Sequence, residues 1–135
     1  YASGAGFNKL AEIMAAQGGV IRRDEEYYGL PQARFKEGYS AGESGYIQSI
    51  DALEVGRAAM ALGAGRAQLG DKIDYSAGVE LLKKPGDYVN RGEACALLHT
   101  NCREKIATAG CFLHGAFKIG ERKPAPKPLI IRIIQ

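Results

Sequence analysis

Two turn tetrapeptides stand close together near the middle of the chain, Lys84-Pro85-Gly86-Asp87 and Asn90-Arg91-Gly92-Glu93. Proline presets φ, and glycine or asparagine supplies the positive φ that other residues resist, so each tetrapeptide is a reversal. The residues on either side have a polarity period of two. Val79 and Leu81 alternate with Glu80, and Ala94, Ala96 and Leu98 alternate with Cys95 and Leu97, which predicts strands. Short strands joined by tight turns are what this part of the chain is built to form.

Elsewhere the period is helical. Phe7, Leu10, Ala11 and Met14 follow the i, i+3, i+4, i+7 spacing that gathers apolar groups on one face, with Ser3 placed to cap the start and Gly18-Gly19 to end the run. Val20 to Gln32 reads as an extended connector with one short strand. Ala33–Ser40 and Tyr46–Ile50 read as a hairpin closed by the glycine-rich reversal from Ala41 to Gly45. Asp51 with Glu54 resembles a capping box, and Val55, Ala58, Ala59 and Leu62 continue a helix until Gly63 and Gly65 break it. Ile106, Ala109, Gly110, Leu113, Ala116 and Phe117 form a helical stripe, predicting a third helix over residues 102–118. ERKPAPKP is a polyproline-like strap, and LIIRII closes the chain as a strand.

The bounds exclude several classes of function. The chain has 135 residues, enough for one cored domain, and its net charge of +3 is scattered among acids rather than gathered in a basic block. Nucleic acid and anionic membranes are therefore not expected partners. No apolar run approaches the roughly 18 residues that a spanning helix needs. Cys95, Cys102 and Cys111 match no zinc pattern with His99 and His114, and an odd count without a secretory signal fits a reducing cytoplasm. A start at Tyr1 rather than Met points to a piece of a longer polypeptide.

No motif completes a catalytic constellation. Gly63-Ala64-Gly65-Arg66 follows a helix, whereas a phosphate cradle feeds its amides into a helix N-terminus. The local reading is a helix end and tight loop, and Arg66 is the one candidate functional residue there. His99 and His114 lack triad spacing. Cys95 reads as a buried filler, with Cys102 and Cys111 more exposed. Asp71, Asp74 and Asp87 read as turn carboxylates bonding their own backbone. The structural turn positions are Gly45, Gly63, Gly65, Gly86, Asp87 and Gly92; no catalytic, cofactor or metal residue is assigned.

SGYIQSID and PGDYVNRGEACALLH together resemble the two halves of a biotinyl/lipoyl-like hammerhead, in which short strands cross as a flattened barrel. A carrier of that kind presents a lysine at a hairpin tip between the halves. Here a helix, Asp51 to Leu62, and a glycine-rich loop are inserted at that place, and Lys83 and Lys84 precede a turn instead. The expected fold class is α+β, a barrel-sandwich-hybrid β core with about three helices, forming the C-terminal part of a larger α/β domain. Residues 1–135 are taken as a single domain: a linking helix over 1–19, a hammerhead-like core over 33–100 with an inserted helix over 52–62, and a helix plus closing strand over 102–135.

AEIMAAQGG (Ala11 to Gly19), SGYIQSIDA (Ser44 to Ala52), AMALGAGRAQLGDKIDYSAGVELLKKPGDYVNRGEACALLHT (Ala59 to Thr100) and KPLIIRII (Lys127 to Ile134) resemble the C-terminal part of thymidine phosphorylase and pyrimidine-nucleoside phosphorylase. LGAGR, DKIDYSAG, KPGDYVNRGE and LLHT occur in order at that family's spacing, while CREKIATAGCFLHGAF is shorter and more apolar than its pattern. The resemblance implies a cytoplasmic glycosyltransferase of nucleoside salvage and pyrimidine metabolism. Such an enzyme cleaves a pyrimidine nucleoside with phosphate as co-substrate, needs no cofactor, and works as a homodimer whose domains close by a hinge. The family's phosphate loop, Lys-His-Ser stretch and base-reading Arg, Ser and Lys lie upstream of the matched region, so the resemblance transfers no catalytic residue. It implies a structural domain, inactive alone, whose partners are the upstream domains of its own parent chain. The alternatives are a free-standing carrier or binding module, and the C-terminal domain of a related nucleoside-monophosphate phosphorylase.

Overall fold

The computed structural model describes residues 3–66 and 68–126 and divides the chain into two compact units, residues 1–32 and 33–135. In the first, α1 covers Ala5–Ala16. Gly4 occupies its N-cap position, and Ser3 Oγ accepts weakly from the Ala5 N–H at 3.4 Å. Two bonds close its end: Gly18, at φ 81°, donates to the Ala15 carbonyl, and Gly19 donates to the Met14 carbonyl at 2.8 Å. That is the paired bonding by which a left-handed glycine satisfies a helix's last carbonyls.

The extended connector expected over residues 20–32 is instead a series of turns around a short 3₁₀ turn, Glu26–Gly29. Tyr27 and Tyr28 are both left-handed there, at φ 53° and 59°, a conformation that costs a side-chain-bearing residue about 1–2 kcal/mol. Local bonds hold it: the Arg22 N–H donates to the Tyr28 carbonyl at 3.1 Å, and the Phe7 and Tyr28 rings meet at 5.2 Å.

The second unit is α+β. Its strands are β1 (Phe35–Ser40), β2 (Gly45–Ile50), β3 (Gly78–Leu81), β4 (Tyr88–Val89), β5 (Ala94–Thr100) and β6 (Phe117–Gly120), with helices α2 (Ala52–Ala59) and α3 (Lys105–Ala116). They form two antiparallel three-stranded sheets, ordered β1-β5-β3 and β4-β2-β6. Among the described residues the sheets do not close into a barrel.

The expected strands exist, but β1 and β2 do not pair as a hairpin. At Ala41 the chain is taken by the distant turn: its N–H donates to the Glu93 carbonyl and its carbonyl accepts from Gly92, both at 2.8 Å. Residues 41–44 then cross to the other sheet, where β2 lies between β4 and β6. Gly45 fits only as glycine, since a Cβ there would meet the Gly120 carbonyl oxygen and Ile119 Cγ2 at 2.8 Å. Long-range pairing has overridden the local turn signal.

Asp51 caps α2 as expected, accepting from the Leu53 and Glu54 N–H groups at 2.9 and 3.2 Å. The helix ends in a wider π turn, Met60–Ala64, in which Gly63 is at φ 117°. The third helix is shorter than its stripe predicts. Ile50 pairs with Phe117 across the sheet and the Asp51 N–H takes the Ala116 carbonyl at 2.9 Å, so the chain becomes β6 where the periodicity still reads as helix. The closing strand LIIRII lies outside the described residues.

The core gathers Ile47, Ala58, Leu62, Val89, Cys95, Ala96, Leu98, Ala109, Leu113 and Ala116, all at most 2% exposed. Burying each large aliphatic group is worth about 1.5–3 kcal/mol. Ala58, Ala109 and Ala116 let α2 and α3 pack closely.

Candidate functional site

Polar chemistry in this unit concentrates where α2 ends and β5 ends. Gly63 turns the chain out of the helix, and its carbonyl accepts from the Asp74 N–H at 2.9 Å, closing the base of a loop that spans residues 64–73. Asp74 Oδ1 then accepts from the Ser76 N–H and hydroxyl at 3.0 and 2.7 Å, while Oδ2 accepts from Asn101 Nδ2 at 2.8 Å. Asn101 Oδ1 in turn accepts from the Arg34 N–H at 2.9 Å. The Ser76 hydroxyl above all, then its N–H, Asn101 and the nearby Lys105 ammonium, hold the Asp74 carboxyl below the usual carboxylate range. Beside it the fully buried Thr100 hydroxyl donates to the Leu62 carbonyl at 2.9 Å and accepts from the Cys102 N–H at 3.2 Å.

One turn design occurs three times around this core. In residues 84–87, 90–93 and 68–71 the fourth residue is Asp87, Glu93 or Asp71. Its N–H donates to the carbonyl of the first residue, and its carboxylate accepts from the N–H of that same residue at 2.8–2.9 Å. The third residue is always glycine at positive φ: Gly86 at 96°, Gly92 at 84° and Gly70 at 99°. The glycine supplies the left-handed step and the acid closes the ring, so both positions are specified. Glu93 also pairs with Lys83. That contact, ahead of the Asn90 N–H, pulls its carboxyl down to about 2 and raises the Lys83 ammonium.

The positions singled out from the sequence do not converge. Arg66 is exposed, just past Gly65, which is extended (φ −140°, ψ 175°) with its Cα side close to Met60. His99 lies on β5 with Nε2 3.4 Å from Glu80 Oε2. His114 is exposed on α3 and lines a cavity of about 260 Å³ with Tyr39, Glu43, Cys95 and Phe117. Burial raises both the Tyr39 phenol and the Cys95 thiol. Cys95 is buried, Cys102 half-buried and Cys111 exposed; Glu104 accepts from the Cys102 thiol at 3.0 Å and raises it.

Among the described residues no group of three His, Cys, Asp or Glu side chains is placed to hold a metal ion, and no helix is long and apolar enough to cross a membrane. Asn101 and the Lys83–Glu93 pair are the polar anchors that sequence reasoning passed over. Asn101 had no local signal, because its partners are 25 to 67 residues away.

This is an α+β module in which Asp71, Asp87 and Glu93 close turns and Asp74 anchors a loop. The profile of the pyrimidine nucleoside phosphorylase C-terminal domain matches residues 46–120. The chain belongs to that family, as its C-terminal domain. It is 36% identical over 128 residues to thymidine phosphorylase of Mycobacterium tuberculosis (strain CDC 1551 / Oshkosh), covering 95% of this chain and 29% of the relative. With pyrimidine-nucleoside phosphorylase of Bacillus subtilis (strain 168) the identity is 36% over 125 residues, covering 93% and 29%. That of Staphylococcus epidermidis (strain ATCC 12228 / FDA PCI 1200) is 38% identical over 102 residues, covering 76% and 24%. The chain thus spans less than a third of the length of the relatives it matches.

Proposed function

We propose that this chain is the supporting C-terminal domain of a phosphorylase that cleaves thymidine or uridine with inorganic phosphate, giving free base and a pentose 1-phosphate. One observation carries the reading: an alignment that takes in 95% of this chain takes in only 29% of a thymidine phosphorylase. The family's substrate-binding stretches belong to the part not covered. In this reading the two sheets are the halves of a barrel-sandwich hybrid that completes a larger α/β domain in a cytoplasmic homodimer. Phosphate is a co-substrate, and no cofactor takes part.

The chemistry assigns the domain a mechanical task. Phosphorolysis needs donors around phosphate, hydrogen bonds to the base as it leaves, and exclusion of water, all held in register as the domains close. A rigid body serves closure better than a flexible one. The Asp74–Ser76–Asn101 anchor and the Thr100–Leu62 bond tie the loop and helix end to β5.

The test measures base release from thymidine and uridine, with and without phosphate, by the 135-residue chain and by the longer polypeptide that carries it. Phosphate-dependent release by the longer protein alone is expected. Turnover by the short chain would remove the supporting role and make Arg66, His99 and His114 the first residues to substitute.

A further inference from the structure

We propose that the cavity of about 260 Å³ bounded by β1, α3 and β6 is a binding site for a small neutral ring compound that carries an N–H beside a carbonyl, the lactam or imide group. Its lining residues all belong to the second unit, and the site does not depend on nucleoside cleavage.

The cavity exists because the chain leaves one sheet for the other there. The turn at 90–93 holds Ala41 at both its N–H and its carbonyl, so β1 stops and the next residues cross with open space beside them; a Cβ on Gly42 would meet nothing within 4 Å. Cys95 and Phe117, 0% and 8% exposed, form the deep wall. The Phe117 ring stacks on Tyr39 at 5.7 Å, with 27° between their planes. Glu43 and His114 are exposed and form the rim.

The polar groups here differ from the others of the unit. Asp51, Asp71, Asp74, Asp87 and Glu93 all accept from backbone N–H groups. Among the described residues, the Tyr39 hydroxyl, the Glu43 carboxylate and the His114 imidazole take part in no hydrogen bond or ion pair. No enclosed polar side-chain atom of the described residues is left unbonded, so the hydroxyl of the half-buried Tyr39 is open to a small molecule.

Size and chemistry define the ligand. Drug-sized ligands occupy about 300–1,000 Å³, so this volume takes a single ring. The Glu43 carboxylate calls for a donor and the Tyr39 hydroxyl for an acceptor, the two groups that a lactam presents side by side. The aromatic wall favours a flat ring. Burial raises both the Tyr39 phenol and the Cys95 thiol, the mark of surroundings that resist negative charge, so a phosphate or carboxylate ligand fits poorly.

The probe is 2-pyridone, titrated into the 135-residue chain and into the longer polypeptide that carries it while amide resonances are followed. Saturable shifts at Gly42, Glu43, Cys95 and Phe117 are expected in both. The N-methylated pyridone, which lacks the N–H, should bind about tenfold more weakly, as should 2-pyridone to Glu43→Ala, while Tyr39→Phe should weaken it about fivefold. Melting curves separate lost binding from lost folding in the variants, and the methylated probe needs no variant at all. Absence of saturable shifts in either protein overturns the proposal, as does equal binding of the methylated compound or of both variants. Tighter binding of benzylammonium than of 2-pyridone overturns it too, assigning the cavity to cations. None of these readouts involves base release, so their failure leaves the functional reading standing on its own test.

Discussion

α1 and α3 are both twelve-residue helices with apolar residues at helical spacing, yet they end in opposite environments. In α3, Ala109, Leu113 and Ala116 are completely buried, against α2 and the sheets. In α1 no residue is buried, and Leu10 and Ile13 keep nearly half their surface in water. Periodicity states that a helix has an apolar side; it does not state what covers it. The second unit supplies that cover from its own strands and helices, whereas the first does not.

The comparison breaks first at Leu113. Leu113→Ala should cost about 2–5 kcal/mol in chemical denaturation, because the fully enclosed site cannot collapse around the cavity. If it costs no more than Ile13→Ala, expected within about 0.5 kcal/mol in the isolated chain, the division between the helices fails.

Thr100→Val sharpens the comparison by removing polarity from the core at nearly constant shape. It leaves the Leu62 carbonyl without its donor and should cost about 1–3 kcal/mol, read from the same denaturation curves. Gly86→Val and Gly92→Val each place a branched side chain at φ near 90°, where open space leaves backbone strain as the main penalty. Each should lose about 1–2 kcal/mol. Unchanged melting in both variants would refute the requirement for positive φ.

The smallest effect is a pH dependence. Glu93 titrates near 2 in the folded protein and near the ordinary glutamate value of 4.5 when unfolded. Its contribution is therefore present above about pH 4.5 and is lost as pH falls through about 2, below which folded and unfolded forms become equally protonated. Lys83 shifts the other way, so its part is complete below its ordinary value of 10.5 and is lost as pH rises beyond it. In Lys83→Met the acid-side loss seen in melting curves should become shallower; an unaltered acid limb would separate Glu93 from this pairing.

Much of the fold was legible locally. The Asp51 cap, the Gly18-Gly19 ending, the turns at 84–87 and 90–93, and the buried Cys95 all follow from residues within a few positions of one another. The errors arose where distant residues compete. The reversal at Ala41–Gly45 looks like a hairpin until Glu93 and Gly92 claim Ala41, and Phe117 reads as helix until Ile50 pairs with it. The anchors of the candidate site were half legible. Asp74 bonds Ser76 two residues on, as an aspartate turn should, but its bond to Asn101 spans 27 residues.

By itself the sequence determined where this chain turns, where it is helical, which side of each helix is apolar and, through four ordered motifs, its family. Those properties depend on φ preference, side-chain hydrogen bonding and periodicity, all of which act over one or two turns of chain. The tertiary structure alone decided which strands pair, where α3 stops, and which apolar side is covered. Each of these is a competition between partners far apart in the chain, decided by the surface and hydrogen bonds gained when the whole core forms.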